Sequence, residues 1–197
     1  SGNTNKTSNK FIAFNTLTTS TADSFLGISG LSRSNITSLK FVVDKNAKFE
    51  SGTNVASLGD SSIWAVVSGT EVTIYSADEI HANKNSSYLF ANIDAQIQGI
   101  DYINTNNVTN MSHMFEGYGK TKVSSLSLGT NLDTSHVTDM SYMFSGCGTE
   151  NLSSLSLENF TTVNVTNMSH MFENLGTKKL TTFNMGSDFD TAKVTDM

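Results

Sequence analysis

His113 and Glu116 stand three residues apart, and His170 and Glu173 repeat the pair. An imidazole and a carboxylate at that spacing share one face of a helix and could begin a divalent-metal site. The copy between them carries Tyr142 and Ser145 instead, so the two pairs are two units apart. At about 4.8 Å per stacked strand they lie ~10 Å from one another, too far for one shared ion. They read as solvated positions, and no metal is expected. Cys147 is the only cysteine. A nucleophilic thiol needs a histidine and an orienting partner, and nothing nominates them. Cys147 aligns with Tyr118 and Leu175, an apolar slot, so packing is its expected role. One thiol makes neither a disulfide framework nor a cysteine zinc site. Asn107, Asn110, Asn164 and Asn167 each begin an N-x-S/T sequon. In a secreted eukaryotic protein these would be glycan acceptors; in a bacterial one they serve caps and turns. No glycine-rich phosphate loop, no H-E-x-x-H and no carboxylate pair outside the repeat is present. No catalytic residue, enzyme activity or cofactor is expected.

The elements that carry these residues repeat. "VTNMSHMFEGYG" at 108–119 returns as "VTDMSYMFSGCG" at 137–148 and "VTNMSHMFENLG" at 165–176. The copies begin at Val108, Val137 and Val165, 29 and 28 residues apart, and a fourth opens at Val194. The chain stops inside that copy, so the natural array is expected to continue. A fixed period in this range means stacked units that bury an apolar face only together. Val108, Met111, Met114 and Phe115 fall at i, i+3, i+6 and i+7, and both later copies keep the spacing. The pattern predicts a short helix per unit. Asp133, Thr134, Thr161 and Thr162 are its expected N-caps, and Gly119, Gly148 and Gly176 its expected ends.

The second half of each unit is L-x-x-L-x-L in kind: "VSSLSL" from 123, "LSSLSL" from 152, "LTTFNM" from 180. It predicts a strand with Leu126 and Leu128, or Leu155 and Leu157, facing inward. Asn131, Asn159 and Asp188 follow and are expected to bond the turning backbone. A shorter, degenerate unit precedes them, marked by "SYLFANI" at 87–93, with Ile97, Ile100 and Tyr102 as its strand. The expected fold is therefore α/β: a leucine-rich-repeat solenoid with a parallel sheet on one face and short helices on the other. The expected domains are a disordered polar leader at 1–10, a β-rich capping domain at 11–86, and repeats of about 25–29 residues at 87–197. In the cap, 36–43, 62–67 and 71–76 read as strands, 68–70 as a tight turn, and 21–28 as a short helix.

Composition narrows function. Net charge is −6 without a basic stripe, which excludes nucleic acid as a main partner. No apolar run approaches the ~20 residues of a membrane span, so direct membrane insertion is not expected. There is no proline, so turns fall to Gly, Asn, Asp and Ser.

"NVTNMSHMF", "HVTDMSYMF" and "NVTNMSHMF", with "SSLSL" between them, resemble the BspA-like leucine-rich repeats, also called the mycoplasma-lipoprotein-type repeat. The resemblance covers roughly 86–197, and the later units here run a few residues longer than is typical. It implies extracellular display at a cell surface, anchored outside this chain, and adhesion to host or partner-cell proteins or glycans. It implies no single ligand and transfers no binding residue, because the shared motif is the scaffold. The expected function is a non-enzymatic adhesion module for an extracellular protein or glycan. The alternative is a structural spacer or stalk. The expected contact rows are the outward strand residues Ser125, Ser127, Ser154, Ser156, Thr182 and Asn184, in the company of Ser124, Ser153 and Thr181. The loop row Lys120, Lys122, Lys178 and Lys179 is the other candidate edge, and would suit an acidic partner.

Overall fold

The structure is a computed structural model that describes residues 23–57 and 59–197. The expected leader at 1–10, and the cap up to Ala22, lie outside the described residues. Among the described residues ten strands form three small sheets: β1 (Ser38–Val43), β2 (Thr53–Asn54), β3 (Trp64–Ser68), β4 (Glu71–Ser76), β5 (Ile80–His81), β6 (Ile97–Gln98), β7 (Ile103–Asn104), β8 (Ser125–Leu126), β9 (Ser154–Ser156) and β10 (Thr182–Asn184).

The first sheet is mixed, in the order β2-β3-β4-β1-β6. β1 alternates as a half-buried strand should, with Leu39 and Phe41 buried and Lys40 exposed. β3 and β4 pair antiparallel around Gly69 and Thr70, and the positive φ of Gly69 fits the tight turn. β1 pairs parallel with both β4 and β6. Because β6 lies past residue 87, this sheet crosses the expected boundary between cap and repeats. Arg33 marks the same junction from inside. It is fully buried under the Phe25 ring, and its Nη1 donates to the carbonyls of Leu89 (3.1 Å) and Ala91 (2.9 Å).

The expected α/β leucine-rich-repeat solenoid with its row of helices is not what the chain forms. The described residues hold no α-helix, only 3-10 turns at Arg33–Asn35 and Ile100–Tyr102, and the architecture is mostly β in small sheets of mixed orientation. The stretch expected as a helix is a run of turns. Its amides alternate between two kinds of partner. Met114, Glu116 and Tyr118 donate back three residues, to Met111, His113 and Phe115. Met111, His113, Phe115 and Gly117 donate instead to Asp139, Ser141, Met143 and Ser145 of the next unit, at 2.8–3.0 Å. Two local features favour this over a helix. Asn110, Asp139 and Asn167 accept the amides of Ser112, Ser141 and Ser169 on their own side-chain oxygens, an Asx turn that competes with i→i−4 bonding. His113, Tyr142 and His170 then take φ of 56–58°, which no α-helix contains. Successive three-residue turns bury every third or fourth side chain much as a helix does. Spacing alone does not separate the two.

The expected N-caps accordingly cap nothing. Thr134 is buried and links units: its Oγ1 donates to the Thr161 carbonyl (2.9 Å) and accepts from the Thr161 amide (2.8 Å). Thr105 and Thr162 hold the same position one unit either side. Likewise 23–28 is not helical but a turn closed by the antiparallel Ser24–Ser32 bridge. Gly148, an expected helix end, sits at φ 60° with its amide on the Tyr118 carbonyl, and a Cβ there would overlap that of Leu152.

Unit packs on unit in parallel. Asn85, Asn110, Asp139, Asn167 and Asp196 form a chain of parallel bridges, one residue per unit. Inside, Phe115 stacks on Phe144 (5.6 Å between centroids) and Phe144 on Phe172 (6.1 Å), with the Val and Met rows buried beside them. One apolar core runs from Phe25 in the cap to Met171 in the repeats.

Candidate binding surface

β8, β9 and β10 form a parallel three-stranded sheet. Its register places Leu126, Leu155 and Phe183 in one row, and the first two are buried. Ser125, Ser154 and Thr182 form the row before it, and Ser156 and Asn184 pair in the row after. The strand period of two turns these away from the leucines. Five of the six expected contact residues are therefore brought into register. Ser127 is not: it lies past the end of β8, exposed, beside a polar hollow of about 160 Å³ that it shares with Asp101, Ser156 and Glu158.

The hydroxyls differ in what is left to them. Ser153 Oγ donates to the Ser124 carbonyl (3.0 Å) and Thr181 Oγ1 to that of Ser153 (3.4 Å), so both are used along the stack. Ser156 Oγ accepts from Glu158, and Asn184 Oδ1 from Gly186. The side-chain hydroxyls of Ser125, Ser127, Ser154 and Thr182 have no hydrogen-bond partner among the described residues, which leaves four small hydroxyls for an outside partner.

The lysine edge is less free than its charges suggest. Lys178 Nζ meets Glu150 Oε2 at 2.5 Å, and Lys179 Nζ donates to Asn151 Oδ1 at 2.8 Å. The hydrogen bond from Lys178 holds the Glu150 carboxyl below its ordinary range. Asn131 and Asn159 donate to the backbone of the preceding unit, at Asp101 and Gly129.

The two His–Glu pairs are close, with Nδ1 to Oε2 at 2.9 Å for His113–Glu116 and 2.7 Å for His170–Glu173. They also belong to something the sequence reading missed. Tyr88, His113, Tyr142 and His170 stack face to face, 4.4, 4.7 and 4.5 Å between centroids and within 14° of parallel. Each ring rides on a left-handed residue of its unit. The clue is an aromatic or imidazole ring at one repeat position, which the spacing assigns to the solvent face of a helix. Among the described residues no group of three His, Cys, Asp or Glu could hold a metal ion. Cys147 is buried, and loss of solvent pushes its thiol up to about 12. Tyr118, in the same slot of the preceding unit, is buried with its hydroxyl accepting the Ile97 amide at 3.1 Å, and burial raises its pKa too. No described helix is long and apolar enough to cross a membrane.

No curated protein and no solved structure matches the chain. Residues 84–197 match the family DUF285, described as Mycoplasma protein of unknown function, from just before the first parallel bridge at Asn85 to the last residue. With more than half its length in that match, the chain belongs to this family, which is found in BspA-like surface proteins.

Proposed function

We propose that the chain is a non-enzymatic binding module of a cell-surface protein, displayed outside the cell and gripping an extracellular protein or glycan. The finer kinship to the BspA-like repeat proteins belongs to this reading, and the "VTNMSHMF" motif supports it. One observation carries it: unpaired hydroxyls of Ser125, Ser154 and Thr182 stand in register on three parallel strands, two of them anchored by the buried Leu126 and Leu155. Such a row loses little side-chain entropy on contact. It can hydrogen-bond sugar hydroxyls or a partner's backbone across several units at once. The test replaces Ser125, Ser154 and Thr182 together by Arg and measures adhesion to cells, matrix proteins and immobilised glycans beside the melting temperature. Adhesion falls at least tenfold with stability held. If adhesion is untouched, the strand face is not the contact. Adhesion that instead weakens with salt and with loss of Lys120 and Lys122 moves the contact to the lysine edge.

A second reading, a spacer or stalk, is favoured by the unbroken hydrogen bonding from unit to unit, which resists bending whatever the surface does. Wild-type protein that adheres to none of these surfaces supports it.

A further inference from the structure

The five-stranded sheet of the cap has two faces. Leu39, Phe41, Ala65, Val72 and Ile74 take one of them into the core. The strand period puts Lys40, Val42, Trp64, Val66, Thr73 and Tyr75 on the other. Register sets Trp64 beside Tyr75, and Tyr75 beside Val42. The Trp64 and Tyr75 rings stack, 5.9 Å between centroids and 17° from parallel, and Phe49 meets Trp64 edge-on at 5.9 Å. These rings do not serve the main core. Trp64 is buried yet stands outside that apolar cluster, and Phe49 is 43% exposed.

What covers Trp64 is the loop 44–52, which is tied down at both ends. The Asp44 amide donates to the Ser76 carbonyl (3.0 Å), and Asp44 Oδ1 accepts the Asn46 amide (2.9 Å). At the far end β2 pairs with Trp64 and Ala65. Gly52 sits there at φ 114°, where a Cβ would overlap the Ala65 carbonyl oxygen. Lys48, Glu50 and Ser51 of the loop enclose, with Trp64, Val66 and Tyr75, a hollow of about 300 Å³. The Lys48 ammonium, the Glu50 carboxylate and the hydroxyls of Ser51 and Tyr75 have no hydrogen-bond or ion-pair partner among the described residues.

We propose that this hollow is a glycan site that takes one neutral pyranose ring. The C–H face of the sugar packs on the open part of Tyr75 beside Trp64. Its hydroxyls meet the polar rim, where Lys48 donates, Glu50 accepts, and Ser51 and Tyr75 do either. The volume is at the small end of ligand pockets, which suits a single ring. One cation and one anion cancel, so a highly charged polymer gains little from the site. A wholly apolar ligand would strip water from both charges and return no hydrogen bond. The site belongs to the cap, shares no residue with the β8–β10 face, and stands whether or not that face binds.

Trp64 is the only tryptophan of the chain, so its emission reports on the hollow. The full chain is titrated with the methyl glycosides of glucose, galactose, mannose and N-acetylglucosamine, with the open-chain alditol sorbitol as control. At least one glycoside gives a saturable change in Trp64 emission and a saturation-transfer NMR signal, and sorbitol gives neither. Lys48→Ala and Glu50→Gln, both at exposed positions, each weaken that binding about tenfold, the scale of one hydrogen bond to a charged group, with the melting temperature unchanged. The Ser125, Ser154 and Thr182 triple arginine variant binds the glycoside as the wild type does. The proposal is overturned if no glycoside gives either signal, or if sorbitol responds equally. It is also overturned if Lys48→Ala and Glu50→Gln both bind as the wild type does; loss of binding in the triple variant instead would put the sugar on the strand face.

Discussion

Tyr142 lies between the imidazoles of His113 and His170, at 4.7 and 4.5 Å, on a backbone with φ 56°. A non-glycine residue in that region costs on the order of 1 kcal/mol, and ring stacking offsets it. The two effects are separable: Tyr142→Gly loses the stack but relieves the backbone, whereas Tyr142→Ala loses the stack and keeps the strain. The alanine variant is expected to be the less stable by about 1 kcal/mol, and urea midpoints in the reverse order would contradict the left-handed assignment. Phe144 is buried between Phe115 and Phe172. Phe144→Ala should cost about 3–5 kcal/mol; an unchanged melting temperature would show that the Phe row is not core. Cys147 tests burial through pH. Its folded-state thiol is raised from 9.0 to about 12 by desolvation, so the folded chain favours the protonated form. That contribution is whole below about 9 and is lost as pH climbs through about 12. The native thiol should therefore react slowly with a water-soluble disulfide reagent at pH 8 and quickly in denaturant. Fast labelling of folded protein would put the slot in contact with water.

The turn segments show how one residue can redirect a periodic pattern. Asp139 accepts both the amide and the hydroxyl of Ser141, and that local ring takes the place of a helical bond. Asp139→Asn keeps the acceptor and should leave stability nearly unchanged. Asp139→Ala removes it and should cost about 1 kcal/mol. Equal stability of the two variants would mean that the cross-unit amides alone hold the turn. The absence of α-helix among the described residues has its own readout. Far-UV circular dichroism of the folded chain should lack the paired minima of a helical protein, and a strong minimum near 222 nm would restore the helix expectation.

At the scale of the molecule, cap and repeats share one core and a sheet that crosses between them. Arg33 holds the junction, with Nε on the Ser24 carbonyl and Nη1 on Leu89 and Ala91. Removing the donor strands buried carbonyls, each worth about 1–3 kcal/mol when unsatisfied. Arg33→Met keeps much of the volume, yet should lower the stability of the whole chain by several kcal/mol on that same scale. In the wild type, fluorescence of Trp64 in the cap and circular dichroism of the chain should report one coincident transition. Two separated transitions would make the cap a unit of its own.

What the sequence determined by itself was the period, the apolar rows and the cap strands. Val108, Met111, Phe115 and their copies are buried because a stacked array must hide whatever recurs as apolar in every unit, whichever backbone carries it. Leu39 and Phe41 follow from strand alternation in the same direct way. The rows Ser125, Ser154 and Thr182 were legible as neighbours once β8, β9 and β10 were placed, because identical spacing in parallel strands fixes register. Tertiary structure decided the rest. The i, i+3, i+7 spacing of Val108, Met111 and Phe115 fits a helix and a run of tight turns equally well. The choice fell to hydrogen bonds between residues 27 or 28 positions apart, which no local window contains. The same reason hid the Tyr88–His113–Tyr142–His170 stack, the linking role of Thr134, and the bonds of Arg33 to Leu89 and Ala91. Each exists only where one unit meets another.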